Sequence, residues 1–236
     1  MLVLALDTAT ARITAGVVAL SGDPADGSPV TLAARDAAGA RAHAELLAPS
    51  IRDALGEAGY TRRDLDAIVV GLGPGPFTGL RVGLVTAAAM GDALGLPVHG
   101  VPTHDALAAG LPGRVLGSGS AALRVLVVTD ARRREVYWSL VVDGARTHGP
   151  EVSAPAELAA RLGPGGDLGA VDTVVGDAAG QVGGDGDATP GPTPAGLVAV
   201  AAPALRAGTT PGPLVPLYLR RPDAVPPGAP KAVTRA

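Results

Sequence analysis

Residues 66–95, DAIVVGLGPGPFTGLRVGLVTAAAMGDALG, carry most of the fold information in this chain. Ala67-Ile68-Val69-Val70 is a short apolar run, rich in β-branched residues and closed by glycine, which predicts a covered strand. Gly71-Leu72-Gly73-Pro74-Gly75-Pro76 ends it, because two prolines donate no N–H and three glycines admit backbone angles that other residues avoid. Beyond Pro76 the spacing turns helical: Phe77, Leu80, Leu84 and Ala88 recur every three or four residues along one face. Gly79, Gly83, Ala87 and Gly91 form a second line, four residues apart. Each glycine inside a helix costs roughly 1 kcal/mol against alanine. Three of them on one line predict close packing there, and the expected occupant is another helix lying in a shallow groove.

Outward from this stretch, Leu2 to Asp7 reads as a central strand ending in an acid, with Thr8 to Arg12 as a turn and Ile13 to Leu20 returning. Val30 to Asp36 is a third strand. His43 to Ala58 is a helix with Leu47, Ile51, Leu55 and Ala58 as its apolar stripe, ended by Gly59. A strand at Pro97 to Val101 and a short helix at Thr103 to Ala109 follow. Three strands, then helix, strand, helix, strand is the order of a ribonuclease-H-like half-domain. Leu123 to Thr129 and Glu135 to Val142 read as a strand pair around a turn at Asp130 to Arg134. Arg132, Arg133 and Arg134 suit either a phosphate or RNA contact or a solvated turn. Val171 to Val175 is a further strand, Ala178 to Gly196 a Gly- and Pro-rich loop, and Leu197 to Leu205 a helix containing Pro203. The expected organisation is a domain at 1–109, a second at 110–221 and a disordered tail at 222–236.

Composition removes several kinds of chemistry. There is no cysteine, so disulfides, thiolate nucleophiles and cysteine metal sites are excluded together. Lys231 is the only lysine, against 18 arginines, and lies in the Pro-rich tail, which argues against a Walker-type lysine or a lysine Schiff base. A net charge of −3 and 2% aromatic residues do not make a broad nucleic-acid surface. Charged residues, Gly or Pro interrupt the apolar stretches before about 20 residues, and no basic, signal-like start is present, so a cytoplasmic setting is expected.

An acid-tipped strand followed by a polar hairpin is also how actin-like ATPases and sugar kinases hold a nucleotide phosphate and its metal. Asp7, Thr8 and Thr10 are therefore candidate nucleotide-binding residues, beside the plainer reading of an ordinary hairpin turn. The glycine turn itself matches neither G-x-G-x-x-G nor the P-loop.

Gly73-Pro74-Gly75-Pro76-Phe77-Thr78-Gly79-Leu80-Arg81-Val82-Gly83 resembles the GPGSFTGLRIG motif of the TsaB family, with Pro76 in place of the serine. Leu6-Asp7-Thr8-Ala9-Thr10, His43-Ala44-Glu45-Leu46-Leu47, Asp130-Ala131-Arg132, Glu135-Val136-Tyr137 and Tyr218-Leu219-Arg220 match in the family's order, across residues 1–221. The resemblance implies an actin-like, ribonuclease-H-like α/β fold of two related domains. It also implies a non-catalytic subunit that binds and activates TsaD, the transferase of tRNA N6-threonylcarbamoyladenosine synthesis. A TsaE-like ATPase would dock on the pair, tRNA would be met through the complex, and ATP or ADP would sit at the complex interface rather than in a site of this chain.

TsaD carries a metal-binding His-x-x-x-His on the helix equivalent to the one starting at His43. Here the fourth residue on is Leu47, so one helix face cannot offer two histidines. His99, His104 and His148 have no such spacing, and no metal site or catalytic residue is expected. The implied partner-binding residues are His43, Leu47, Ile51, Leu55, Phe77, Gly79, Leu80, Gly83, Ala87 and Gly91, with Gly83→Leu expected to fill the groove and weaken pairing. The same face would let the isolated chain pair with a copy of itself. The competing reading is an independent actin-like kinase or ATPase built on Asp7 and Thr8 to Thr10. A peptidase finds no support, lacking a cysteine, a paired-histidine site and a G-x-S-x-G elbow.

Overall fold

The computed structural model describes residues 1–38, 43–111, 122–184 and 191–220. The first sheet contains β1 (Leu2–Asp7), β2 (Arg12–Ala19), β3 (Val30–Ala38), β4 (Ala67–Gly71) and β5 (Val98–Val101), in the order β3-β2-β1-β4-β5. β1 pairs antiparallel with β2, Asp7 opposite Thr14, and parallel with β4, Leu6 opposite Val70. The second sheet contains β6 (Arg124–Asp130), β7 (Val136–Val142), β8 (Ala145–Ser153) and β9 (Thr173–Val175), in the order β8-β7-β6-β9. Both sheets therefore repeat one plan, an antiparallel meander whose first strand takes a parallel neighbour on its other side. This is the actin-like, ribonuclease-H-like α/β fold.

Side-chain alternation along β1 sends Leu4 and Leu6 to one face and Val3 and Ala5 to the other. Leu4 and Leu6 pack under α1 (His43–Ala58) and α2 (Phe77–Leu94), whose Leu47, Ile51, Leu55, Leu80 and Leu84 join that core. Val3 and Ala5 pack under α5 (Pro194–Arg206) through Leu197, Val198, Ala201 and Leu205. Helix α3 (Thr103–Ala109) lies between the sheets, giving Ala106 to the first and Leu107 and Ala108 to the second. On its other face the second sheet packs Trp138 and Leu140 against Leu158 of α4 (Pro155–Leu162). Among the described residues no helix is long and apolar enough to cross a membrane.

Several expectations need correction. Helix α5 packs on the first sheet, so the second structural unit does not take all of 110–221. Residues 179–182 of the expected loop form a 3-10 turn, and Pro194 and Ala195 already belong to α5. Strand β8 and helix α4 had no counterpart in the sequence reading. Most of the Gly- and Ser-rich stretch from Leu111 to Ala122, whose composition suits a join between two domains, and the expected tail, 222–236, lie outside the described residues.

Candidate functional site

Strand β1 delivers Asp7 to the heart of the first half, where the carboxylate is fully buried. Ala9 N–H donates to its Oδ1 at 2.8 Å and the Thr103 hydroxyl to its Oδ2 at 2.6 Å, while Gly73 N–H donates to the Thr103 hydroxyl at 3.1 Å. Gly71 is required beside it, because a Cβ there would overlap Oδ2. Burial raises the Asp7 pKa to about 6, against the opposing effect of the Thr103 and Ala9 hydrogen bonds. Thr8 donates its hydroxyl to Gly79 O at 2.7 Å and accepts from Gly83 N–H at 2.9 Å, bridging one turn of α2. The Thr10 hydroxyl, also buried, accepts from Arg12 N–H at 3.3 Å. The three candidate nucleotide residues are thus gathered in one turn, and the protein's own groups occupy them.

The small-residue line is corrected by the same geometry. Gly79, Gly83, Ala87 and Gly91 are all buried. A Cβ on Gly83 would come within 2.5 Å of Thr8 Oγ1, and one on Gly91 would overlap Val98. These residues let α2 settle onto the β1–β2 turn and β5, so the groove is filled from within the chain. Leu47 and Leu80 are likewise core residues, whereas Ile51 and Leu55, though buried, floor an outward depression. Phe77 is half-buried and stacks on Tyr218, ring centroids 4.6 Å apart, with the Arg81 guanidinium over both rings. The side chain of His43 is outside the described residues.

That depression, about 580 Å³, lies between α1 and α2 and is lined by Ala48, Ile51, Leu55, Tyr60, Thr86 and Met90, with Arg52 and Arg62 at its edge. A second hollow of about 380 Å³ continues along α2 past Val85, Ala89, Ala93 and Leu94, sharing Arg62, Thr86 and Met90 with the first. Val85 is 66% exposed and Tyr60 41%. The two hollows together run along the open side of the helical layer, and their lining is mostly apolar. Sequence reasoning missed Val85, Tyr60 and Met90, although Val85, two residues from both Gly83 and Ala87, falls on the opposite side of the helix once that line is known to face inward.

Two further clusters join the halves. His104, buried on α3, holds Ser139 Oγ at 2.8 Å through Nδ1 and Thr129 Oγ1 at 2.9 Å through Nε2. Burial, with a smaller push from Arg146, lowers its pKa to about 3, so the ring stays neutral. The neighbouring Asp105 pairs with Arg146 at 3.1 Å instead of orienting the histidine, so His104 and Ser139 form a closed pin without a relay. Asp177, just after β9, accepts from Asp130 N–H at 2.9 Å and from the backbone of Ala11 in the first half; burial is the main cause of its raised pKa. Thr103, His104 and Asp177 carry no local motif. The one sequence signal that could have marked the last is the repeat of Val69-Val70-Gly71 as Val174-Val175-Gly176. No group of three or more His, Asp or Glu side chains among the described residues is arranged for a metal ion.

Comparison with known proteins adds a family to this geometry. The family model described as TsaD, tRNA N6-adenosine threonylcarbamoyltransferase, matches residues 37–175. An uncharacterised protein of Mycobacterium tuberculosis is 48% identical over 226 residues, 95% of this chain and 94% of its own length. The Escherichia coli tRNA threonylcarbamoyladenosine biosynthesis protein TsaB is 34% identical over 139 residues, 59% of this chain and 54% of its own. The structure of YeaZ from Pseudomonas aeruginosa superposes with a TM-score of 0.67 at 27% identity, covering 92% of this chain and 99% of that one. A second Pseudomonas aeruginosa structure, described as similar to peptidase YeaZ, has the same TM-score at 29% identity and covers 93% and 99%. The chain belongs to the family that the TsaD model describes, and within it is similar to TsaB.

Proposed function

We propose that this chain is a non-catalytic subunit of tRNA N6-threonylcarbamoyladenosine synthesis and that it activates a TsaD-like catalytic subunit by pairing through the outer face of α1 and α2. The observation that carries this reading is the apolar hollow between α1 and α2, floored by buried Ile51 and Leu55 and continuing past Met90, with Tyr60 and Val85 exposed along it. Membership of the family supports the choice of partner. A buried Asp7 with both oxygens engaged, and Leu47 locked in the core where a second histidine would be needed, support a role without chemistry. A TsaE-like ATPase docks on the assembled pair, tRNA is bound by the complex, and ATP or ADP belongs to the complex interface. Without its partner the chain pairs with a second copy through the same face.

Light scattering after size-exclusion chromatography tests this, with the chain alone and mixed with the TsaD-like protein of the same organism. A 1:1 heterodimer is expected, at least tenfold weakened by Val85→Glu, which leaves the melting temperature of the isolated chain unchanged. Persistent failure to associate, with or without nucleotide, overturns the proposal. The competing kinase or ATPase reading rests on the acid at the tip of β1, and requires Asp7 to open to solvent. Micromolar ATP binding with turnover by the isolated chain would favour it.

A further inference from the structure

Arg62 is a charged residue set at the meeting point of two apolar hollows. It opens the 3-10 turn Arg62–Asp64 that follows α1, and it lines both hollows of the outer face, which also share Thr86 and Met90. The residue is exposed, and among the described residues its guanidinium makes no hydrogen bond or ion pair. No carboxylate among those residues lines either hollow. The acids on the neighbouring turns are engaged elsewhere: Asp53 pairs with Arg52 at 2.9 Å, Glu57 pairs with Arg35, and Asp64 accepts from Thr61 N–H at 2.6 Å and from the Thr61 hydroxyl at 2.7 Å. Asp92 of α2 is exposed but lines neither hollow.

We infer that the protein partner docking on this face presents an aspartate or glutamate to Arg62, and that this ion pair is the contact by which the face selects its partner. Such a pair presupposes the docking face of the proposed function and rests on that reading. A partner helix long enough to cover both hollows must cross Arg62, and doing so takes the guanidinium out of water. An unpaired charge removed from water is strongly unfavourable, whereas one that meets a carboxylate through two parallel hydrogen bonds recovers much of that loss. Arginine suits the position better than lysine, because guanidinium is more weakly hydrated and its planar fork matches a carboxylate. A wholly apolar partner would therefore bind poorly however well it filled the hollows. The charge excludes wrong partners as much as it holds the right one. RNA is the poorer occupant, since the hollows are mostly apolar and the chain carries a net charge of −3.

The test is the affinity of the full chain for the TsaD-like protein of the same organism, measured by titration calorimetry. Arg62→Met keeps the length of the side chain but strands the partner's carboxylate, and is expected to weaken binding at least about thirtyfold. Arg62→Glu sets like charges together and is expected to weaken it about a thousandfold. Arg63→Met makes the same charge change on an exposed residue outside both hollows, and is expected to stay within about threefold of wild type. Each variant should keep the melting temperature of the wild-type chain, because neither guanidinium has a partner within it. Lysine replacement of the TsaD-like subunit's exposed acids, one at a time, is expected to reveal a position that restores the affinity of Arg62→Glu at least about tenfold. Binding by Arg62→Met as tight as wild type, or tighter, overturns the inference while leaving the partner-subunit reading intact, since an apolar group would then cover the position. Loss of tRNA binding by the isolated chain in Arg62→Met, with partner affinity unchanged, also overturns it and assigns the arginine to RNA. Failure of the wild-type chains to associate overturns both the inference and the proposed function.

Discussion

The two halves share a strand plan, and each ends the first strand of its meander in an aspartate followed by a turn, Asp7-Thr8-Ala9 in one and Asp130-Ala131-Arg132 in the other. Their surroundings are opposite. Asp7 lies under α2 and α3, with no solvent contact and both oxygens bonded inside the protein. Asp130 stays at the surface, with its side chain 36% exposed and paired to an exposed arginine. The strand plan positions the acid, and the layer above it decides what the acid can do. The first sheet is covered by α1 and α2 on one face and α5 on the other, whereas the outer face of the second is covered by the eight-residue α4 together with Leu168 and Ala178 from loops. One turn has become part of a core; its counterpart remains at the surface.

The sharpest way to break this comparison is to force the closed turn open. Gly83→Leu drives a side chain into Thr8, in a region where neither the hydroxyl nor the helix can yield. Overpacking together with a broken buried hydrogen-bond bridge should cost more than about 3 kcal/mol, read as a fall in the denaturation midpoint of the isolated chain. A loss of partner affinity with unchanged stability would instead return that glycine line to an exposed groove.

The next effect is electrostatic. The Asp7 pKa is raised from 3.8 to about 6 in the folded state. Its contribution is thus full below pH 3.8 and is lost as pH rises through 6, a change worth about 3 kcal/mol. Asp7→Asn, which keeps the shape and removes the charge, should flatten stability between pH 4 and 7 and make the protein more stable than wild type at pH 7. Asp130→Asn, on an exposed turn, should shift the midpoint by less than about 1 kcal/mol. Equal responses from the two would erase the distinction between the halves.

His104 has the opposite sign. Its folded pKa is lowered from 6.5 to about 3, so the unfolded chain takes up the proton first and stability falls as pH drops below 6.5. His104→Gln should remove that acid sensitivity, seen in denaturant melts at pH 5 against pH 7.5. The smallest effect belongs to the open turn. Arg133→Asn places a residue tolerant of positive φ at a left-handed position and should gain a few tenths of a kcal/mol.

The regular elements were largely readable beforehand. Helix α1 spans His43–Ala58 and α3 Thr103–Ala109, as periodicity and terminal signals predict, and the strand, glycine turn and helix of residues 66–95 fall where the β-branched run and the two prolines place them. Strand β8 was missed for a physical reason. It is an edge strand with Gly149-Pro150 inside it and mostly exposed or half-buried residues, so it lacks the alternation by which a covered strand announces itself. Helix α4 is short and follows it directly.

The candidate site divides along similar lines. Local chemistry in the chain named Asp7, Thr8, Thr10, the glycine line and the arginine run, because motif and spacing are properties of neighbours in sequence. It could not say that Thr103 closes over Asp7 from 96 residues away, or that Gly83 faces Thr8 rather than a partner. Periodicity establishes that residues share a helix face but carries no information on what that face meets. That depends on long-range contacts, which only the packed chain supplies. The left-handed set of the arginine turn has the same origin: the sequence leaves three arginines open to a phosphate or RNA contact or a solvated turn, and Asp130, Glu135 and Arg220 hold the turn in a conformation it would not adopt alone.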